Sequence, residues 1–196
     1  MAAAGLPPWD VATAVAACPI LSWSGEVWRC HSRRYDGANA DGSLKTTGRY
    51  NRARDKFPDH DVWPALYTAL AQHIALGERI RHTTAQALSA LAGQRVGHLS
   101  VRLGLVLNGC ESDDCLTPAW TEIAPDDLCH PTNYRMTHAI AAAARARGAE
   151  GMLIPSCTRF RGGNLIIFPD LLRPNSEVHV IDTEDPDLFV AWDHVV

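Results

Sequence analysis

Leu70, Ile74 and Glu78 recur every fourth residue in Ala69 to His82, a run with few helix breakers beyond Gly77. A helix there puts all three on one face. That face is apolar, so the Glu78 carboxylate needs a cationic or hydrogen-bonding partner, or a cleft where a ligand serves. A boundary residue paired with Arg81 or Arg49 fits the same spacing, and periodicity leaves both readings open. Two arginines could grip an anion. Arg29 sits in the strand-like run Glu26-Val27-Trp28-Arg29-Cys30-His31, and Arg49 follows Gly48 directly; a planar guanidinium suits pyrophosphate better than an ammonium does, although Arg29 fits a solvent-facing strand position equally. Tyr67 ends a short β-prone run before the Glu78 segment, where an aromatic packs in a core or stacks on a planar ring at a cleft rim. Ser156 follows Gly151-Met152-Leu153-Ile154-Pro155 and precedes Arg159 and Arg161, a place for a turn residue or a hydrogen-bonding role.

Other chemistries fail on spacing. Gly37, Gly42, Lys45 and Thr46 approach a phosphate loop, but two residues part the second glycine from the lysine and no helix follows. Gly162-Gly163 lacks a third glycine and precedes a strand, which disfavours a dinucleotide fingerprint. Nothing around Ser156 resembles Gly-x-Ser-x-Gly. No two of Cys18, Cys30, Cys110, Cys115, Cys129 and Cys157 have the spacing of a zinc knuckle or redox pair. Free thiols in a reducing compartment are therefore the expectation, with a metal site of Cys110, Cys115, Cys129 and His130 the weaker reading.

The 196 residues suit one domain, with 46% hydrophobic and 20% charged residues excluding a disordered or fibrous chain. No apolar run approaches a membrane span, and the first residues lack the pattern of a signal peptide, which points to the cytoplasm. A net charge of −4 argues against a generally basic nucleic-acid binder. Charge is uneven, however. From Arg29 to Lys56, eight basic residues face three aspartates, whereas Arg173 alone offsets seven acidic residues after Phe168. The basic segment is either a solvated face or a site for a small polyanion and an acidic partner.

The positioning elements read as helix over Asp10 to Ala17, strand over Glu26 to His31, a long loop from Ser32 to Thr47, and extended chain over Gly48 to Asn51. Strand follows at Leu66 to Thr68 and helix at Ala69 to His82. Leu99, Val101, Leu103, Leu105 and Leu107 alternate along the clearest strand. A helix over Thr132 to Arg147, capped by Thr132 or Asn133 and stopped at Gly148, precedes strands at Gly151–Ile154, Asn164–Phe168 and Val178–Asp182. This mixture implies an α+β fold with a mixed or antiparallel sheet.

In this order, Trp28-Arg29, Gly48-Arg49-Tyr50-Asn51, Leu66-Tyr67-Thr68-Ala69 leading to Glu78, and Ile154-Pro155-Ser156 followed by Asn164 to Phe168 resemble the RES-domain family, named for its arginine, glutamate and serine. The resemblance covers about Glu26 to Val180 and divides the chain into an extension, 1–25, with a short helix, and a RES domain, 26–196. It implies an ADP-ribosyltransferase-like fold and an NAD-degrading toxin of a bacterial toxin–antitoxin pair, with phosphorolysis of NAD to nicotinamide and ADP-ribose 1″-phosphate among the family's activities. Arg29, Glu78 and Ser156 match the naming triad, Arg49 the second arginine and Tyr67 the tyrosine before the helix. Glu78 would then stabilise the ribose cation, Arg29 and Arg49 would hold phosphates, Tyr67 would stack, and Ser156 would fix a phosphate or ribose oxygen.

NAD is in that case a substrate rather than a cofactor, inorganic phosphate a co-substrate, and no metal is called for. The implied partner is a cognate antitoxin with a DNA-binding domain, with neither direct nucleic-acid binding nor membrane association by this chain and homo-oligomerisation left open. Tyr50 stands where the family usually has tryptophan, and the extension and the 32–47 loop are additions. An ADP-ribosyltransferase acting on a macromolecule and a non-catalytic nucleotide-binding module are the alternatives.

Overall fold

The computed structural model describes residues 10–81, 91, 93–111, 119–120, 125–158 and 162–186. Cys115, Arg159 and Arg161 lie outside them. Asp10 caps α1, Val11–Ala17, by accepting from the Ala12 amide. The strands are β1, Ile20–Ser32; β2, Leu66–Ala69; β3, Gln94–Asn108; β4, Gly151–Pro155; β5, Gly163–Ile167; and β6, Glu177–Glu184. The other helices are α2, Gln72–Arg81; α3, Pro125–Cys129; and α4, Arg135–Ala146. Among the described residues no helix is long and apolar enough to cross a membrane.

The strand order β1-β2-β5-β4-β3 closes on itself because β1 also pairs with β3, giving a five-stranded barrel with β6 on an outer edge of β3. All pairings are antiparallel except β3 with β4. This is the expected α+β class with a mixed sheet. Strand alternation divides the core. Val27, Leu66, Leu99, Leu103, Leu153 and Leu165 meet in one cluster. Their sheet neighbours Met152, Ile154 and Ile166 join Ile140, Ala141 and Ala144 of α4 and Val15 of α1 in the other. Arg147 ties α1 to this body by donating to the carbonyls of Val15 and Cys18.

Several boundaries differ from the sequence reading. β1 begins six residues before Glu26, because Ile20 and Leu21 already pair with Leu107 and Val106 of β3. Tyr134 rather than Thr132 or Asn133 occupies the α4 cap, without a side-chain cap bond, and Gly148 past its end takes φ +72°. Gly48–Asn51 is a bend held by side chains, not extended chain, with the sole nearby bridge joining Arg52 to Trp63. The Ser32–Thr47 stretch contains a 3-10 turn at Asp41–Leu44.

One residue with no sequence signal closes the sheet. The edge of β3 pairs with β6 through Arg102 and with β4 from Val106, leaving a gap at Gly104 and Leu105. Glu150, fully buried, fills it by accepting from both amides at 2.8 Å through Oε2. Its Oε1 accepts from the Arg173 amide at 2.8 Å and from the Ser176 hydroxyl, which fixes the turn into β6. Burial alone raises a carboxyl pKa, but these donors outweigh it and hold Glu150 below the ordinary value. A depressed folded pKa gives stability that is present above the unfolded value and lost as pH falls through the folded one. Glu150→Gln should therefore cost about 3 kcal/mol at pH 7 by urea denaturation, and the difference from the parent should shrink below about pH 4. A loss under about 0.5 kcal/mol would show that the gap closes without the carboxylate.

Candidate active site

Residues of β1, β2, β5 and α2 and of the Gly48 bend line a cavity of about 460 Å³. Arg29, Arg49, Tyr67 and Glu78 all line it, with Arg79 and Asn164. α2 buries Ile74, Ala75 and Leu76 against the sheet, and Glu78, one turn beyond Ile74, reaches the cavity wall half-buried. Among the described residues Arg49, one of the two arginines proposed as its partner, forms no ion pair with it, and the Arg81 side chain lies outside the description. Glu78 Oε1 accepts from the Ser156 hydroxyl at 2.7 Å, the Asn164 amide side chain at 2.9 Å and the Cys157 backbone N–H at 3.2 Å. Among the described residues its Oε2 accepts nothing. Ser156 is thus bonded to the carboxylate and is not among the residues that line the cavity.

The arginines differ in availability. One Nη of Arg29 donates to the carbonyls of Gly37 and Asn39, both at 2.7 Å, making this residue a strut for the 32–47 loop as well as part of the wall. Burial lowers its pKa to about 10, so it stays cationic near neutrality. Arg49 has a buried Nε without a partner among the described residues, and Arg79 forms no ion pair there. Part of the wider basic segment is neutralised: Arg33 pairs with Asp185 at 2.5 Å, Arg52 with Asp61 at 2.5 Å and Arg54 with Asp59 at 3.0 Å. Within the segment, Arg29 and Arg49 line the cavity.

Tyr67 locks the bend carrying Arg49. Its hydroxyl accepts from the Tyr50 amide at 2.7 Å and donates to Asn51 Oδ1 at 2.9 Å, while burial pushes its pKa up. Asn51 also accepts from the Gly48 amide at 3.1 Å and donates to the Thr46 carbonyl at 3.0 Å. Glycine is required at 48, because a Cβ would meet Asn51 Oδ1 at 2.5 Å and the Tyr67 hydroxyl at 2.7 Å. From α4, His138 Nε2 donates to the Gly48 carbonyl at 2.9 Å, and burial lowers its pKa so that the ring stays neutral. Trp28 forms another wall and stacks on His98 at 4.7 Å.

The cysteines depart from the expectation of free thiols. Cys129 at the end of α3 and Cys157 after β4 form a disulfide with Cα atoms 5.5 Å apart, and Cys110 is also disulfide-bonded. Folding brings together residues 28 apart, which spacing does not reveal. Cys18 and Cys30 are free. Among the described residues no group of His, Cys, Asp and Glu is arranged to hold a metal. Asn164 carried a signal in hindsight, being an amide within the buried strand Gly163-Asn164-Leu165-Ile166-Ile167. His138 and Arg79 carried none.

The pattern of the RES domain matches residues 26–193. The chain belongs to the RES-domain family. A chain in the crystal structure of the M. tuberculosis MbcT–MbcA toxin–antitoxin complex shares the fold, with TM-score 0.74 and 18% identity over 93% of this chain and 95% of that one. None of the curated proteins compared with it matches. In this RES domain the pair most sensitive to a small change is Tyr67 and the bend above it. Tyr67→Phe leaves the Tyr50 amide without its acceptor and should destabilise the fold by about 1–3 kcal/mol in chemical denaturation; a change below about 0.5 kcal/mol would mean water replaces the hydroxyl.

Proposed function

We propose that this RES domain binds NAD in the cavity and cleaves its nicotinamide–ribose bond, with inorganic phosphate as the attacking group. The observation that carries the reading is the division of labour on Glu78: one oxygen is fixed by three protein donors while the other accepts from none of the described residues, on a side chain that lines a cavity with Arg29, Arg49 and Arg79. As the C1″–N bond breaks, its electron pair goes to the pyridinium nitrogen and nicotinamide leaves neutral, so no general acid is needed. Positive charge grows on the ribose. The fixed carboxylate opposes that charge and accepts from ribose hydroxyls without having to reorganise. A phosphate oxygen then forms the C1″–O bond, giving ADP-ribose 1″-phosphate.

Arg49, with its unpartnered Nε, and Arg79 are the groups proposed to hold NAD phosphates or the incoming phosphate, with Arg29 assisting from the wall. Tyr67 acts through the Arg49 bend and Ser156 through Glu78, so both are positioning residues in this scheme. The chain's own side chains suffice for each step, and no cofactor or metal is invoked. The barrel and cleft are read as ADP-ribosyltransferase-like.

We further read the protein as the toxin of a toxin–antitoxin pair acting in the cytoplasm, restrained by a cognate antitoxin with a DNA-binding domain. The family and the fold shared with a toxin–antitoxin structure support this. Expression of the chain alone should arrest growth and lower cellular NAD, and co-expression of the adjacent antitoxin-like gene should restore both; normal growth and NAD at high soluble expression would contradict the toxin reading.

At the enzyme level, Glu78→Gln should keep the fold while nicotinamide release falls by two orders of magnitude or more, about 3 kcal/mol in the barrier. Near-parental release by the folded variant would remove Glu78 from the chemistry. Label from NAD appearing on protein or nucleic acid instead of phosphate would make the acceptor a macromolecule.

A further inference from the structure

Two of the three donors on Glu78 Oε1 come from adjacent residues just beyond the end of β4, where ladder support has almost ended. Pro155 is the last paired residue of β4, and Ser156 keeps one further bond, from its amide to the Gly162 carbonyl at 2.9 Å. Past that point Ser156 Oγ and the Cys157 N–H turn to Glu78. The Cys129–Cys157 disulfide lies at this spot and fastens the segment to α3. α3 is itself anchored, since the neighbouring Leu128 is buried in the core cluster that includes α4. The third donor, Asn164, sits within β5 in register with Ile154 and needs no such tether.

We propose that the Cys129–Cys157 disulfide is a positioning device for Glu78, and that its opening by a dithiol reductant lowers turnover while the cleft still holds nucleotide. The kinetic part rests on the reading of Glu78 as the catalytic carboxylate. One thiolate of the dithiol attacks a sulfur of the bridge and forms a mixed disulfide. Its second thiol then displaces the protein sulfur, so the two electrons and two hydrogens end on the Cys129 and Cys157 thiols and the reductant closes into its own disulfide. Both cysteines are partly exposed, so a small dithiol can reach the bridge. With the bridge open, Ser156 and Cys157 lose their tether to the core, and Oε1 retains Asn164 as its one strand-fixed donor. Arg29, Arg49 and Arg79 lie on β1, the Gly48 bend and α2, and none of these elements is covalently tied to the bridge, which is why binding should survive.

The test compares the full chain oxidised and after dithiothreitol, with thiol alkylation and mass measurement reporting which bridge has opened. Two readouts are taken: NAD turnover, and hydrogen exchange at the Cys157 amide. Reduction should lower kcat by about tenfold or more, change KM for NAD by less than about threefold, and speed exchange of the Cys157 amide, all reversed on reoxidation. Cys129→Ser should sit at the reduced level with or without dithiol, whereas Cys110→Ser should respond like the parent.

Equal kcat in the two states of an NAD-consuming protein, or KM rising in parallel with a general loss of structure, overturns the proposal. So does a folded Cys129→Ser variant with parental turnover. Should that variant fail to fold, the reduced parent decides. Should the oxidised parent consume no NAD, the activity reading fails separately, and unchanged Cys157 exchange on reduction then overturns the positioning role by itself.

Discussion

A carboxylate at the edge of an apolar helix face needs hydrogen-bond donors, and the cleft of this RES domain is organised around how Glu78 meets that demand. Its Oε1 takes donors from Ser156, Cys157 and Asn164, in the β4–β5 region, while the residue itself stands on α2. The helix and these strands must therefore hold their relative places for the oxygen to be satisfied. Anchoring one oxygen leaves the other to a ligand. In the proposed reaction a fixed charge would gain from this arrangement, because the group is oriented on folding rather than at each turnover.

The opposite wall answers the same constraint with the opposite charge. Arg49 is held over the cavity by a bend without ladder support. Tyr67, Asn51 and His138, on β2, the bend itself and α4, supply the missing fixation. Most other arginines of the basic segment are neutralised locally, by Asp185, Asp61 and Asp59. A chain with net charge −4 thus still brings three arginines, Arg29, Arg49 and Arg79, to one cavity.

What the sequence makes legible follows from range. The alternation from Leu99 to Leu107 is a local signal and marks β3, and the Leu70, Ile74, Glu78 spacing locates the carboxylate on α2. Ordered short motifs carried the family, now shown by the match over residues 26–193. The misses are tertiary. No spacing announces that Arg29 also meets the carbonyls of Gly37 and Asn39, or that Ser156 meets Glu78. Glu150, between Ala149 and Gly151, carries no local signal because the gap in β3 that it fills exists only in the closed sheet. The Cys129–Cys157 bridge joins two turns that spacing cannot pair.

The central claim is that the unanchored oxygen of residue 78 meets the ribose whose bond to nicotinamide breaks. A crystal structure of the Glu78→Gln protein with intact NAD tests this most directly. The account predicts hydroxyls of the nicotinamide ribose within about 3 Å of the residue 78 side chain, Ser156 and Asn164 still on its far side, and the pyrophosphate against Arg49. NAD bound with its adenine end at residue 78, or outside the cavity altogether, would contradict it.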